Sequence, residues 1–236
     1  MIHDKNTPAK KLLKNQILEK LKSQRIYFSL KQITEMTGEL KLSERVLKNY
    51  MSEFTKEGVI FDAGRGWYCS LETKLFLSKE PVQELVSFMA QGFPFLEFSC
   101  WSTEQLNPFL HHLLSRFSTL LYVDRDAMGS VEAVLQETDW TVYTNPGKQE
   151  LSRIVASKER MVIIRPAIKK QPMDTSGFAR EEKVLVDFIV ENGRFKWVES
   201  AEAEDAVIKA ITSGRIDRGL FEMYRNERQI NWSIDA

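Results

Sequence analysis

A mixed α/β (α+β) protein in two parts is what this chain of 236 residues predicts, on three observations. Apolar residues recur at helical spacing through residues 10–58. Two short apolar arms flank Gly64-Arg65-Gly66 and read as a hairpin. From residue 80 onward candidate helices and strands alternate, which builds a small central sheet covered by helices. The change of pattern at residues 71–79 places a boundary there, with domains expected at 1–74 and 75–236.

Taken in order, residues 1–8 are expected to be loose. Residues 10–22 form an amphipathic helix with Leu13, Ile17, Leu18 and Leu21 inward and Lys10, Lys11, Lys14, Lys20 and Lys22 outward. Ser29 is suited to cap a short helix carrying Leu30, Ile33 and Met36, which Thr37 and Gly38 stop. Ser43 caps a longer helix, with Leu47, Tyr50, Met51 and Phe54 at i, i+3, i+4 and i+7, ending at Gly58. The hairpin arms are Val59, Ile60 and Phe61, then Trp67, Tyr68 and Cys69. Helix, turn, helix and hairpin in this order describe a winged helix-turn-helix.

In the second part, Pro81 suits a first helical turn, and Val82, Leu85, Val86 and Met89 form a stripe ending at Gly92. Strands are expected at 94–101, 117–124, 140–143 and 161–165, with helices at 127–137 and 148–157. Asn145-Pro146-Gly147 is a turn, and residues 166–177 a loop. A helix over 181–191 turns Val184, Leu185, Phe188 and Ile189 to one side, and the last forty residues are helical, broken at Gly214 and Gly219.

Composition narrows the class. Hydrophobic residues make up 43% and charged residues 28%, as in a soluble globular protein, and no apolar run approaches a membrane span. The start lacks the apolar core of a secretory signal, and two cysteines, Cys69 and Cys100, provide no disulfide framework, so a cytoplasmic location is expected. The net charge of zero hides an asymmetry: residues 1–74 hold 14 basic and 9 acidic residues, a balance of +5, leaving −5 for the remainder. A basic part beside an acidic one suits a protein that meets phosphate with one half.

The polar face of the second N-terminal helix points to the partner. Arg45, Lys48, Asn49 and Ser52 share the i, i+3, i+4, i+7 spacing on the side away from the apolar stripe. Arg and Lys reach guanine edges or phosphates, and Asn pairs with adenine, so this row suits a DNA major groove. Arg65 at the hairpin tip would bring a guanidinium to the backbone or minor groove.

Catalytic chemistry is not visible at this level, and no catalytic, cofactor or metal set is expected. An alternative reading is a metal-dependent nuclease or nucleotidyltransferase with Glu97, Asp124 and Glu182 holding Mg²⁺. Their spacing is not diagnostic, Asp124 and Asp126 suit a helix cap, and Lys183 with Asp187 reads as an ordinary i, i+4 pair. His111 and His112, adjacent in sequence, read as helix-surface or partly buried residues, and Cys100 as a small buried hydrophobe.

The N-terminal unit, the segment CWSTEQLNPF at 100–109 and above all EEKVLVDFI at 181–189 resemble the AbiEi-type antitoxins of bacterial abortive infection. The last segment is similar to the "EK-x-L-V-D" helix that follows a Pro-rich loop in that group, and the resemblance spans about residues 10–225. Ala179-Arg180 departs from the turn expected before that helix. The resemblance implies a winged-helix autorepressor that binds inverted repeats upstream of its own operon. It also implies antagonism of a co-encoded nucleotidyltransferase-like toxin without a stable complex. Arg45, Lys48, Asn49, Ser52 and Arg65 would then be the DNA-contacting set, with antitoxicity in the part from about residue 80.

Overall fold

The computed structural model describes residues 8–40, 42–147, 150 and 160–232, with Glu39 described by its backbone alone. The chain is a mixed α/β protein with two small sheets, and it divides into two compact units. The first comprises the residues up to Leu75 together with Ile211–Glu222 and the residues from Asn231; the second comprises Phe76–Ala210 and Met223–Ile230. Residues 211–222 therefore pack with the N-terminal part, whereas the sequence pattern places them in the second domain.

In the first unit, residues 8–24 are helical throughout. Two α segments, α1 (Pro8–Leu12) and α2 (Glu19–Gln24), flank a π-helical stretch at Leu13–Leu18. Leu13, Ile17, Leu18 and Leu21 are buried as their spacing demands. Helix α3 (Leu30–Met36) begins at a full capping box: Gln32 N donates to Ser29 Oγ at 3.2 Å, and Ser29 N to Gln32 Oε1 at 2.7 Å. Helix α4 (Glu44–Lys56) is capped by Ser43 through a longer bond of 3.4 Å from Val46 N. It ends as a Schellman motif. Gly58 sits at φ +69°, Gly58 N donates to Thr55 O and Val59 N to Phe54 O.

A strand the sequence did not signal, β1 (Tyr27–Ser29), leads into α3. Three residues are too few for an alternation to be read. With β2 (Phe61–Asp62) and β3 (Trp67–Cys69) it forms an antiparallel sheet in the order β1-β3-β2. The first hairpin arm is shorter than expected: Val59 and Ile60 precede β2 in the turn after Gly58, and Ile60 is buried in the core. That core joins Leu13, Leu18, Phe28, Ile33, Leu47, Met51 and Phe54.

The second unit opens with α5 (Glu80–Gly92), Pro81 in its first turn. Strands β4 (Phe98–Ser102), β5 (Ser118–Val123), β6 (Thr141–Thr144) and β7 (Met161–Pro166) form a sheet in the order β4-β5-β7-β6. β4 and β5 are antiparallel, with Phe98 opposite Val123; β5, β7 and β6 run parallel. One face carries Phe98, Cys100, Leu121, Val123, Val162 and Ile164 against the α5 stripe and α6 (Met128–Leu135). The alternate residues Trp101, Leu120, Tyr122 and Ile163 belong to the opposite face, by the period-2 alternation of a strand.

Helix α7 (Glu181–Phe195) departs most from its amphipathic reading. Val184, Leu185 and Phe188 are buried as expected, but so are Glu182, Lys183, Asp187, Glu191 and Asn192. Its end packs on Trp197, whose ring stacks on Phe188 and Phe195 and meets Trp101 edge-on. Helices α8 (Ser200–Ser213) and α9 (Arg218–Glu227) complete the elements. The loop expected at 166–177 begins after Pro166, and Pro8, expected to be loose, is already helical; the rest of residues 1–8, and the helix expected at 148–157 apart from Glu150, lie outside the described residues. Among the described residues no helix is long and apolar enough to cross a membrane.

Candidate nucleic-acid interface and a buried charge network

Helix α4 separates two faces. Leu47, Met51 and Phe54 are almost wholly buried, while Arg45, Lys48, Asn49 and Ser52 are all exposed. The structure thus brings four of the five sequence-predicted residues into one solvent-facing row. Lys48 is engaged within it: its Nζ lies 2.6 Å from Glu44 Oε1 one turn back, with both side chains more than half exposed. The hydrogen bond from Lys48 holds the Glu44 carboxyl below its usual range, and Glu44 raises Lys48 in return.

The flank of α4 is closed by lysines of the first helical stretch that the sequence pattern places outward. Lys10, expected outward, is buried, with Nζ 2.6 Å from Glu53 Oε2 and 3.2 Å from Glu57 Oε1. Lys14 adds a pair to Glu57 at 2.8 Å, and both ammonium groups lie over the Phe54 ring. A lysine stem on an apolar surface covers it while its head finds a carboxylate. These two lysines neutralise Glu53 and Glu57 at the C-terminal end of α4 and serve packing first.

Arg65 is exposed at the hairpin tip, where Gly64, Arg65 and Gly66 all have positive φ (78°, 48° and 81°). The backbone of the tip is closed against residues 217–219. Gly219 N donates to Ala63 O at 3.2 Å, a Cβ on Gly219 would lie 2.6 Å from Arg65 Cβ, and one on Gly64 would meet the Asp217 carboxylate. The tip is therefore held by its own unit and is not a free-standing loop.

The second unit contains a network that sequence reasoning missed. Lys183 Nζ lies 2.6 Å from Asp187 Oδ2 and donates to Tyr224 Oη at 2.8 Å; Tyr224 Oη donates to Asp187 Oδ1 at 2.9 Å. One turn on, Glu191 Oε1 accepts from Tyr122 Oη at 3.2 Å, Arg165 Nε at 3.4 Å and Arg228 at 2.9 Å. Arg228 Nε also sits 3.2 Å from Asp187 Oδ1, near enough for charge attraction but out of line for a hydrogen bond. Arg165 reaches Asn145 Oδ1 beyond the end of β6. The pair read as an ordinary i, i+4 couple is thus fully buried. The available signal was Lys183, Asp187 and Glu191 at i, i+4 and i+8, a charged line running between the apolar residues 184–186 and 188–190. Burial pushes Lys183 down to about 8 and both tyrosines upward.

The residues of the alternative metal reading separate. Glu97 is exposed just before β4, not within it, and Asp124 caps the 3₁₀ turn Arg125–Ala127 by accepting from Asp126 N at 3.1 Å. The β4–β5 register brings Glu97 and Asp124 to the same end of that pair, whereas Glu182 is buried beside Arg180 at 3.2 Å. Among the described residues no three His, Cys, Asp or Glu side chains gather closely enough to hold a metal ion.

His111 and His112 lie in a loop rather than on a helix, their backbone N–H groups both donating to Glu202 Oε1 (3.1 and 2.8 Å). Cys100 is buried with its thiol pushed up by desolvation, an inert packing group; Cys69 is buried and raised to about 11. A cleft of about 670 Å³ opens near the starts of β5–β7, lined by Glu84, Trp140, Arg160 and others, and there Arg160 and Glu84 are paired with each other.

Residues 46–236 match the model of DUF6577, a family of unknown function, and the chain belongs to that family. No curated protein matches the sequence.

Proposed function

We propose that the chain is a sequence-specific DNA-binding regulator whose first unit is a winged helix-turn-helix, with α4 laid in the major groove. The observation that carries this reading is the exposed row Arg45, Lys48, Asn49 and Ser52, directly opposite the buried stripe of a well-capped helix. Short helix α3, helix α4 and the hairpin sheet follow in the order such a reader needs. The basic balance of residues 1–74 supports a phosphate-facing role. Arg65 extends from a tip braced by residues 217–219, so it enters the reading as an auxiliary backbone contact.

The partner is double-stranded DNA, an inverted repeat upstream of the protein's own operon. On the resemblance of residues 100–109 and 181–189 to the AbiEi-type antitoxins, the protein is an autorepressor and antitoxin, a cytoplasmic antagonist of a co-encoded nucleotidyltransferase-like toxin. The domain from about residue 75 carries the antitoxin role, without a stable toxin complex, cofactor or catalytic step of its own.

The test is fluorescence anisotropy of the full chain with its own upstream DNA and with a scrambled duplex, across a salt series. Preference for the native site and affinity falling steeply with salt are expected. Lys48→Ala with Asn49→Ala should weaken native-site binding by ~1–3 kcal/mol for each base-edge pairing that the substitutions remove. Equal, weak binding to both duplexes, or an unaffected double variant, removes the reading.

A further inference from the structure

Among the side chains that border the row on α4, one has a charge that opposes DNA. Glu44, at the first position of the helix, is exposed and holds Lys48 Nζ at 2.6 Å. A carboxylate here repels phosphate and occupies the ammonium that would bind it. The other acidic residues of the helix that face basic partners, Glu53 and Glu57, are neutralised by Lys10 and Lys14, buried or half-buried lysines of the first helical stretch. Glu44 instead pairs with a residue of the row itself.

We propose that Glu44 is the specificity-determining residue of this surface: its carboxylate orients Lys48 and penalises backbone-only contact, so that binding requires matching base edges. The inference rests on the DNA-binding reading above. A sequence reader gains selectivity by weakening wrong complexes as well as by strengthening the right one. Phosphate contacts supply sequence-independent affinity, and base-edge contacts supply discrimination. Base contacts in helix-turn-helix proteins come from the N-terminal part of the recognition helix, which is where Glu44, Arg45 and Lys48 lie. With Glu44 in place, Lys48 is directed along the helix. Without it, Lys48 is free to seek any phosphate within reach.

Glu44→Gln, which keeps the shape and removes the charge, tests this in the full chain. Binding to the native upstream duplex and to the scrambled duplex is measured by anisotropy over a salt series, for wild type, E44Q, K48A and the E44Q/K48A pair. E44Q is expected to tighten scrambled-duplex binding several-fold. It should also steepen the dependence of log K on log salt by about 0.9, the equivalent of one added phosphate contact. Native-site affinity should change little, so the preference ratio falls by the same several-fold factor. In the K48A background, E44Q should leave the scrambled-duplex salt slope unchanged. A change by the same factor on both duplexes, with the ratio preserved, overturns the proposal, because Glu44 then acts only through net charge. Wild type without any preference for its native site sinks the DNA reading itself and the proposal with it. A preference kept by both wild type and E44Q sinks the proposal alone.

Discussion

Lys183 shows what a single residue reveals about this fold. Three cations (Lys183, Arg165 and Arg228) share two carboxylates (Asp187 and Glu191), and Lys183, Asp187 and Glu191 are fully buried. Burying such groups costs several kcal/mol per ion, which close pairing and the tyrosine hydroxyls offset. Lys183→Met takes from Asp187 its closest cation but leaves it Arg228 and the Tyr224 hydroxyl, so the loss in urea unfolding at pH 7 should be about 1–3 kcal/mol. The pH dependence has a definite sign. The folded-state value of about 8 lies below the reference of 10.5. Between these values the unfolded chain holds a proton that the folded chain has released, so this residue's contribution rises with pH. Below about pH 8 both states are protonated and the full cost of the buried charge is present. Tyr122 and Tyr224, pushed upward by burial, act oppositely above pH ~10, where the unfolded chain alone loses their protons. The stability gap between wild type and K183M should therefore widen from pH 7.5 to pH 9.5. A gap that narrows would mean that pairing with Asp187 outweighs desolvation.

At the scale of elements, the two capped helices of the first unit invite a comparison. Ser29 and Gln32 close a reciprocal capping box at 2.7 and 3.2 Å, whereas Ser43 makes one bond of 3.4 Å. Ser29→Ala should cost about 1–2 kcal/mol and Ser43→Ala less than 1, read from urea midpoints with an unchanged slope. Ser29→Ala keeps the bond from Ser29 N to Gln32 Oε1, so equal losses would show that the Ser29 hydroxyl adds no more than that of Ser43. These caps were legible because Ser before an apolar periodic run has one main use. The stripes Leu13-Ile17-Leu18-Leu21 and Val82-Leu85-Val86-Met89 were legible for the same reason, since burial imposes the helical period. Three other features were not. β1 is too short to alternate, the π-helical stretch keeps the same apolar residues inward, and a Lys–Asp pair at i, i+4 has the same spacing in water as in a core. Tyr122 on β5, Tyr224 on α9 and Arg228 just past it distinguish the buried case. The α4 row was fully legible, because a helix with one apolar face must expose the other, but the Glu44–Lys48 pair within it depends on rotamers that spacing alone does not set.

For the molecule as a whole, the chain order hides how the first unit is made. Tyr27 Oη donates to Ile211 O and Gly214 O and accepts from Ile216 N, all within that unit. Leu75 N donates to Arg215 O at 2.9 Å and Arg215 N to Thr73 O at 2.8 Å, while a Cβ on Gly214 would come within 2.6 Å of Leu75 Cα. Arg218 is buried with its guanidinium near the Tyr27, Trp67 and Phe221 rings. No local pattern announces such contacts, since those of Tyr27 and of Leu75 join residues 140 to 189 positions apart. They imply that a fragment of residues 1–75 lacks part of its own core and leaves the hydroxyl of Tyr27 without its buried partners. That fragment should show a weakened or non-cooperative thermal transition by circular dichroism. Because Leu75 already lies beside Arg215, a flexible Gly-Ser linker of about eight residues can join residue 75 to residue 211 without strain. Fusing 211–222 in this way should restore a cooperative melt, and DNA binding with it if α4 is the reader. A cooperative, equally stable fragment 1–75 would show that residues 211–222 merely decorate the unit, and the bracing of the hairpin tip by Asp217 and Gly219 would then have no bearing on how α4 is held.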